Sequence, residues 1–143
     1  MSKEKSTQEF EPMEILRLLN QSLEVEYSFI VNYPRLASMI KNTGAKNMMI
    51  KLGEDSMHHA DVVAGIITEL GGTPNWNFQM MDSIEDLPAI LKQQLEKEEL
   101  AVKLHERTAA MAPGQELRKR LAELGDTEHH HIRAVQKIIA DIS

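Results

Sequence analysis

An all-α protein is predicted, an antiparallel four-helix bundle made of two helical hairpins joined by a long crossover. Three observations predict it. Phe, Trp and Tyr make up only 4% of the 143 residues, while Leu, Ile, Ala, Met, Glu and Lys dominate, a composition of helix formers. Apolar residues recur at steps of three and four along four long runs, and no segment reads as a strand. The two halves of the chain match at a shift of 72 residues: Leu19 with Leu91, Leu23 with Leu95, Leu52 with Leu124, Val63 with Val135. Such self-similarity indicates two copies of one helical hairpin.

Residues 1–11 are polar and charged and read as a flexible N-terminal tail; the bundle domain is expected over 12–143. Pro12 suits the first turn of a helix, where its missing N–H does no harm. The first stripe is Ile15, Leu19, Ser22, Glu26, Phe29, Tyr33, Ala37 and Ile40. Pro34 falls inside it and should kink the helix without ending it. Asn42-Thr-Gly44 is expected to close this helix, with the glycine as its C-cap. The second helix is expected from about Ala45 to Leu70, with the stripe Met49, Leu52, Ser56, His59, Val63, Ile66 and Leu70. Gly71-Gly-Thr-Pro-Asn-Trp76 ends it. Residues 71–86 carry no stripe; fully extended they could cover roughly 50 Å, enough for a crossover along a bundle.

The third helix starts near Leu87-Pro88, with Asp86 or Ser83 as its cap. Its inner positions are Leu87, Leu91, Gln94, Glu98, Ala101, His105, Thr108 and Ala112. Pro113-Gly114 makes a tight turn into the fourth helix, whose stripe is Leu117, Leu121, Leu124, Val135, Ile138 and Ile142. Helices of about 26 residues would each be roughly 40 Å long.

The composition excludes several functions. Lys and Arg number 16 against 22 Asp and Glu, a net charge of -6, and no stretch concentrates the basic residues; nucleic-acid binding is not expected. An acidic surface instead favours the approach of cations. Without cysteine, disulfides and thiolate metal sites are ruled out. No window approaches the length of an apolar membrane span, and the first residues lack the apolar core of a secretion signal. A cytoplasmic protein with no membrane partner is expected.

The polar residues on the stripes carry the functional signal. Glu128 and His131 are three apart and face the same way, on the apolar stripe of the fourth helix. An unpaired carboxylate in a core costs several kcal/mol or loses its charge; a metal ion removes that problem. The repeat supplies partners. Glu26 and His59 lie 33 residues apart, as do Glu98 and His131, and both pairs fall at similar heights within their hairpins. The competing reading is a buried polar network without metal. One pairing fails, because Glu128 matches Ser56. Asp55, four residues before His59, is a further candidate ligand that could instead stand behind the site. Tyr33 and His105, each seven residues beyond a glutamate, face inward and are expected to pack or hydrogen-bond near the site. His58, His129 and His130 lie off the stripes.

These residues resemble the ferritin-like di-iron carboxylate proteins, and bacterioferritin most closely, over roughly Leu18 to Ile142. Leu19-Asn20-x-x-Leu23-x-x-Glu26 followed by Asn32-Tyr33 is similar to the bacterioferritin first helix. Met57-x-His59-Ala60-Asp61 resembles its second, Glu98 with Ala101-Val102 its third, and Glu128-x-x-His131-Ile132 its fourth. The resemblance implies iron ligands at Glu26, His59, Glu98, Glu128 and His131, and one or two non-haem irons per chain. It departs at Ser56, where the family has a carboxylate that bridges both irons; a hydroxyl is a poor replacement. Met57 matches the position that supplies the haem ligand at a two-fold dimer interface, although a surface or interface methionine without haem is the commoner outcome. The resemblance further implies a homo-oligomer, a dimer or larger, and ferroxidase activity, the oxidation of Fe(II) with O2 or peroxide for storage or detoxification. A rubrerythrin-like peroxide-reducing protein and a non-catalytic metal-binding or structural bundle are the alternatives.

Overall fold

The computed structural model describes residues 12–81 and 86–142. The tail read over 1–11 and the alternative cap Ser83 lie outside the described residues. Four helices follow in order: α1 (Pro12–Met39), α2 (Thr43–Glu69), α3 (Leu87–Met111) and α4 (Gln115–Ile142). The described residues contain no strand, and no helix among them is long and apolar enough to cross a membrane. α1 pairs with α2 and α3 with α4; the hairpins then meet as α1 on α3 and α2 on α4.

The ends of the helices follow from local chemistry. α1 runs through Pro34 without interruption and stops at Met39. The expected glycine C-cap is not there. Asn42 instead caps the start of α2, its side-chain oxygen accepting from the Ala45 N–H at 2.9 Å, and Gly44 lies inside the first turn of that helix. An Asn two residues before a Gly suits both a helix start and a helix stop, and the short connection chose the former. α2 ends in a Schellman turn: Gly71 takes φ 85°, Gly72 N–H reaches the Ile67 carbonyl at 2.9 Å and Gly71 N–H that of Thr68 at 3.0 Å. Asp86 caps α3 by accepting from the Ala89 N–H at 3.2 Å, with Pro88 in the first turn. Gly114, at φ 84°, makes the turn into α4.

The long connection is tied to α1 by side-chain hydrogen bonds. Asn20 accepts from Asn75 N–H (2.8 Å) and donates to the Thr73 carbonyl (3.3 Å). Ser28 Oγ accepts from Gln79 N–H at 2.9 Å. Asn32, fully buried, donates to the Gln79 carbonyl at 2.8 Å and accepts from Met81 N–H at 3.2 Å. Trp76 and Phe78 meet Tyr27 edge to face. An extended segment has no ladder of its own, so its backbone groups are satisfied by the helix beneath.

The apolar interior is split in two. One cluster gathers Phe29, Tyr33, Leu36, Met49, Leu52, Leu91 and Ile138. The other holds Ile15, Leu19, Leu23, Val63, Ile66, Ile67 and Leu121. Between them lie the polar members of the stripes. Ile66 is fully buried, so Ile66→Val should cost about 0.5–1.5 kcal/mol in denaturant unfolding. The same truncation at the half-exposed Ile50 should stay within about 0.5 kcal/mol. Equal effects would contradict this packing.

Candidate metal centre

Each helix brings one inner turn to the polar layer. Glu26 from α1, His59 from α2, His105 from α3 and Glu128 from α4 offer one ligand atom each, all within 4.8 Å of one another. Glu98 of α3 with Glu128 and His131 of α4 forms a second such group, drawn from one hairpin alone. Glu128 belongs to both. All six residues are at most 2% exposed.

Glu128 Oε1 lies 2.7 Å from His59 Nδ1 and 3.7 Å from His105 Nε2. Its Oε2 lies 3.2 Å from His131 Nδ1. Glu26 Oε2 is 3.0 Å from His105 Nε2 and 3.4 Å from His59 Nδ1. Glu98 Oε1 is 3.7 Å from His131 Nδ1. An outer ring of groups holds these side chains in place. Tyr33 donates its O–H to Glu98 Oε2 at 2.9 Å. Ser22 Oγ pairs with His105 Nδ1 at 3.4 Å. Asp55 Oδ2 lies 3.2 Å from His131 Nε2. Such partners fix the tautomer and the direction of a ligating imidazole.

Burial pushes the Glu26 and Glu98 carboxyls up; the charge of Glu128 adds to both, and the neighbouring histidines pull each part of the way back. Burial acts on Glu128 in the same sense, but His105, His131 and His59 outweigh it and hold this carboxyl well below its ordinary value. Burial alone would favour neutral rings. Glu128 and Glu26 overcome it at His59, raising it to about 9, and raise His105 as well. Glu128 and Glu98 lift His131 to about 11. With these shifts His59 and His131 hold their protons at neutral pH while Glu128 stays ionised. Metal ligation needs neutral imidazole, so loading must expel protons. Because the folded pKa values are raised, affinity should climb with pH up to about 9 through His59 and on towards 11 through His131. The gain is up to about tenfold per pH unit for each proton displaced. Calorimetric titration at pH 7 in two buffers of different ionisation enthalpy checks this; no net proton release would contradict it.

The donors fit a cation. Glu26 Oε1 and Glu98 Oε1 are buried without a hydrogen-bond partner, and Glu128 Oε2 and His131 Nδ1, 3.2 Å apart, meet outside hydrogen-bond geometry. Buried polar atoms are ordinarily satisfied, and leaving several carboxylate oxygens orphaned in one layer is costly. A divalent ion would satisfy them. Carboxylate oxygen mixed with imidazole nitrogen suits iron, manganese or zinc.

All five residues expected as ligands, Glu26, His59, Glu98, Glu128 and His131, converge in this layer. Asp55 does not join them: partly exposed, it stands behind His131 on the outer ring nitrogen. Met57 lies on the outer face of α2, 55% exposed and away from the layer. A group bound there would have to be shared with a second chain. His105, expected to pack or hydrogen-bond near the site rather than to bind metal, places its Nε2 among the candidate ligand atoms. Ser56 is fully buried and its Oγ has no partner.

A four-helix bundle in which every helix sends a carboxylate, an imidazole or both into one buried layer has the layout of bundles that hold metals in their cores. The chain belongs to the ferritin-like family: the ferritin-like domain matches residues 16–143. Among solved structures it is similar to a ferritin-like, diiron-carboxylate protein from Bacillus anthracis, at 25% identity and TM-score 0.81, over 90% of this chain and 96% of that one. It is also similar in fold to a dodecameric thioferritin, the bacterioferritin-related protein of Bacteroides fragilis, at 19% identity and TM-score 0.79, over 95% and 90% of the two chains. The bacterioferritin of Rhodobacter capsulatus, whose structure has a metal-free dinuclear site and a haem iron, matches at 23% identity and TM-score 0.70, over 92% and 86%. No curated protein matches the chain in sequence.

Proposed function

We propose that this protein binds Fe(II) in the polar layer and oxidises it with O2 or peroxide, for iron storage or detoxification. The observation that carries the reading is the pair of ligand groups sharing Glu128, an arrangement suited to two ions side by side. Fe(II) is then the substrate, and it supplies the electrons. With peroxide the balance is two Fe(II) and two protons per peroxide, giving two Fe(III) and two waters. The chain's own residues do the rest. Glu26, Glu98 and Glu128 place negative charge where the cationic charge rises, which favours the ferric product. His59, His105 and His131 supply neutral donors once their protons have left. The two apolar clusters keep bulk water from the layer. A cleft of about 360 Å3 between α2 and α4, lined by Asp55, His58, His59 and Glu123, reaches His59 from outside and supports a route for a cation.

Fe(II) oxidation in air and under anaerobic peroxide, each against a protein-free control, tests the reading. A rate above control in either case supports it, and a strong preference for peroxide turns it towards a rubrerythrin-like role. No excess rate, with metal still bound, leaves a non-catalytic metal-binding bundle, the reading that the missing carboxylate at Ser56 favours. We also propose that the chain assembles with itself. Its Bacteroides relative is dodecameric, and Met57, Trp76, Phe78 and Met80 expose apolar surface here; sedimentation analysis checks it, and a monomer at all concentrations would rule it out.

A further inference from the structure

Two of the differences between the halves of the chain bear on the donors of this layer. Under the 72-residue repeat, Ser56 stands where the second half has Glu128, and His105 stands where the first half has Tyr33. The first exchange removes a carboxylate from α2. The second puts an imidazole on α3 in place of a phenol. Tyr33 serves only as an outer partner, donating to Glu98 Oε2 at 2.9 Å. Its counterpart does more. His105 Nε2 lies 3.0 Å from Glu26 Oε2 and 3.7 Å from Glu128 Oε1, inside the group whose atoms all fall within 4.8 Å. A phenol at this distance offers a proton, whereas an imidazole nitrogen offers a lone pair.

We propose that His105 is a metal ligand that replaces the carboxylate missing at Ser56, and that it does so for one of the two metal positions only. A carboxylate on α2 between the two groups would serve both positions, as Glu128 does. Its loss removes one donor from each. His105 restores one donor to the group of Glu26, His59 and Glu128, and none to Glu98, Glu128 and His131. The first position therefore has one donor from every helix, and the second has donors from α3 and α4 alone. His105 also has an outer partner of the kind a ligating histidine normally has: Ser22 Oγ, 3.4 Å from Nδ1, can accept a hydrogen bond from a proton held on that nitrogen, which leaves Nε2 to the cation. Its ring is fully buried. Two imidazoles in the first position select a first-row transition cation over Mg2+ or Ca2+. The positions fill in order, the histidine-rich one first.

The inference rests on the metal-binding reading above. It is tested by titrating the metal-free full-length chain with Co2+, following visible absorption and equilibrium dialysis. Two steps are expected, the first tighter than the second by about tenfold or more, since loss of even an outer partner of a ligand costs about 10–100-fold. In the one-equivalent complex, two hyperfine-shifted imidazole N–H resonances should appear, from His59 and His105. His105→Ala should weaken the first step by about tenfold or more, remove one of those resonances and leave the second step within about twofold; added imidazole should restore the first step. His105→Gln fills the same space and repeats the test if the alanine variant loses its wild-type circular dichroism. An unchanged first step, or equal loss in both steps, overturns the role given to His105 while leaving the metal site standing. A wild-type chain that takes up no Co2+ overturns both readings.

Discussion

Glu128→Ala should abolish metal loading at both positions and destabilise the metal-free protein by about 3–5 kcal/mol, the usual cost of removing one partner from a buried charge pair. Glu128 is the only side chain common to both ligand groups found among the described residues. It stands 2.7 Å from His59, 3.2 Å from His131 and 3.7 Å from His105. Without it three imidazoles, each raised in pKa in part by this carboxylate against the pull of burial, are left facing Glu26 and Glu98, with Asp55 behind His131. Glu128→Gln separates the two effects. It keeps the volume and one acceptor oxygen, so it should lose less stability than alanine, yet it removes the charge and so should lose the metal as fully. Denaturant unfolding of the metal-free variants and metal content per chain check both halves. A Glu128→Ala protein that still holds two ions would remove Glu128 from the centre of the site.

The helices and the inner residues were legible because they depend on period alone. Ser22, Glu26, Ser56, His59, Gln94, Glu98, Glu128 and His131 all fall on stripes, and all are buried. What the stripes cannot contain is distance between helices. His105 was visibly an inward residue, but whether it stops near the ligands or among them depends on the height and rotation of α3 against α1, where Glu26 meets it at 3.0 Å. Asp55 shows the converse. It lies one residue off the stripe, partly exposed, and becomes relevant only because α4 brings His131 Nε2 to 3.2 Å. The anchoring of the crossover had a signal that periodicity passes over: Asn20, Ser28 and Asn32 put short polar side chains along one side of α1, and a fully buried Asn32 needs backbone partners. Gly44, two residues after Asn42, permits two opposite helix boundaries, and only the length of the connection decides between them.

Ser56→Glu should reverse the sign of its own effect on stability when metal is added. In the metal-free protein the substitution is unfavourable twice over. Ser56 is fully enclosed, so the longer side chain overpacks the layer, typically by about 1–3 kcal/mol, and it adds a fourth carboxylate to a layer where burial already pushes Glu26 and Glu98 up. With metal present the same carboxylate gives the position of Glu98, Glu128 and His131 the α2 donor it lacks. Second-step affinity should then rise by about tenfold or more, on the scale by which a single partner tunes a metal site, and occupancy should approach two per chain. A melting temperature below wild type without metal and above it with saturating Fe(II) or Co2+ is the expected pattern, because an ion bound to the folded state alone stabilises in proportion to the logarithm of its excess over the dissociation constant. Stoichiometry and second-step affinity equal to wild type, in a variant that folds, would mean that Ser56 is not the gap in this site. The inequality between the two positions would then have to arise from the outer groups, Tyr33 on Glu98 and Asp55 on His131.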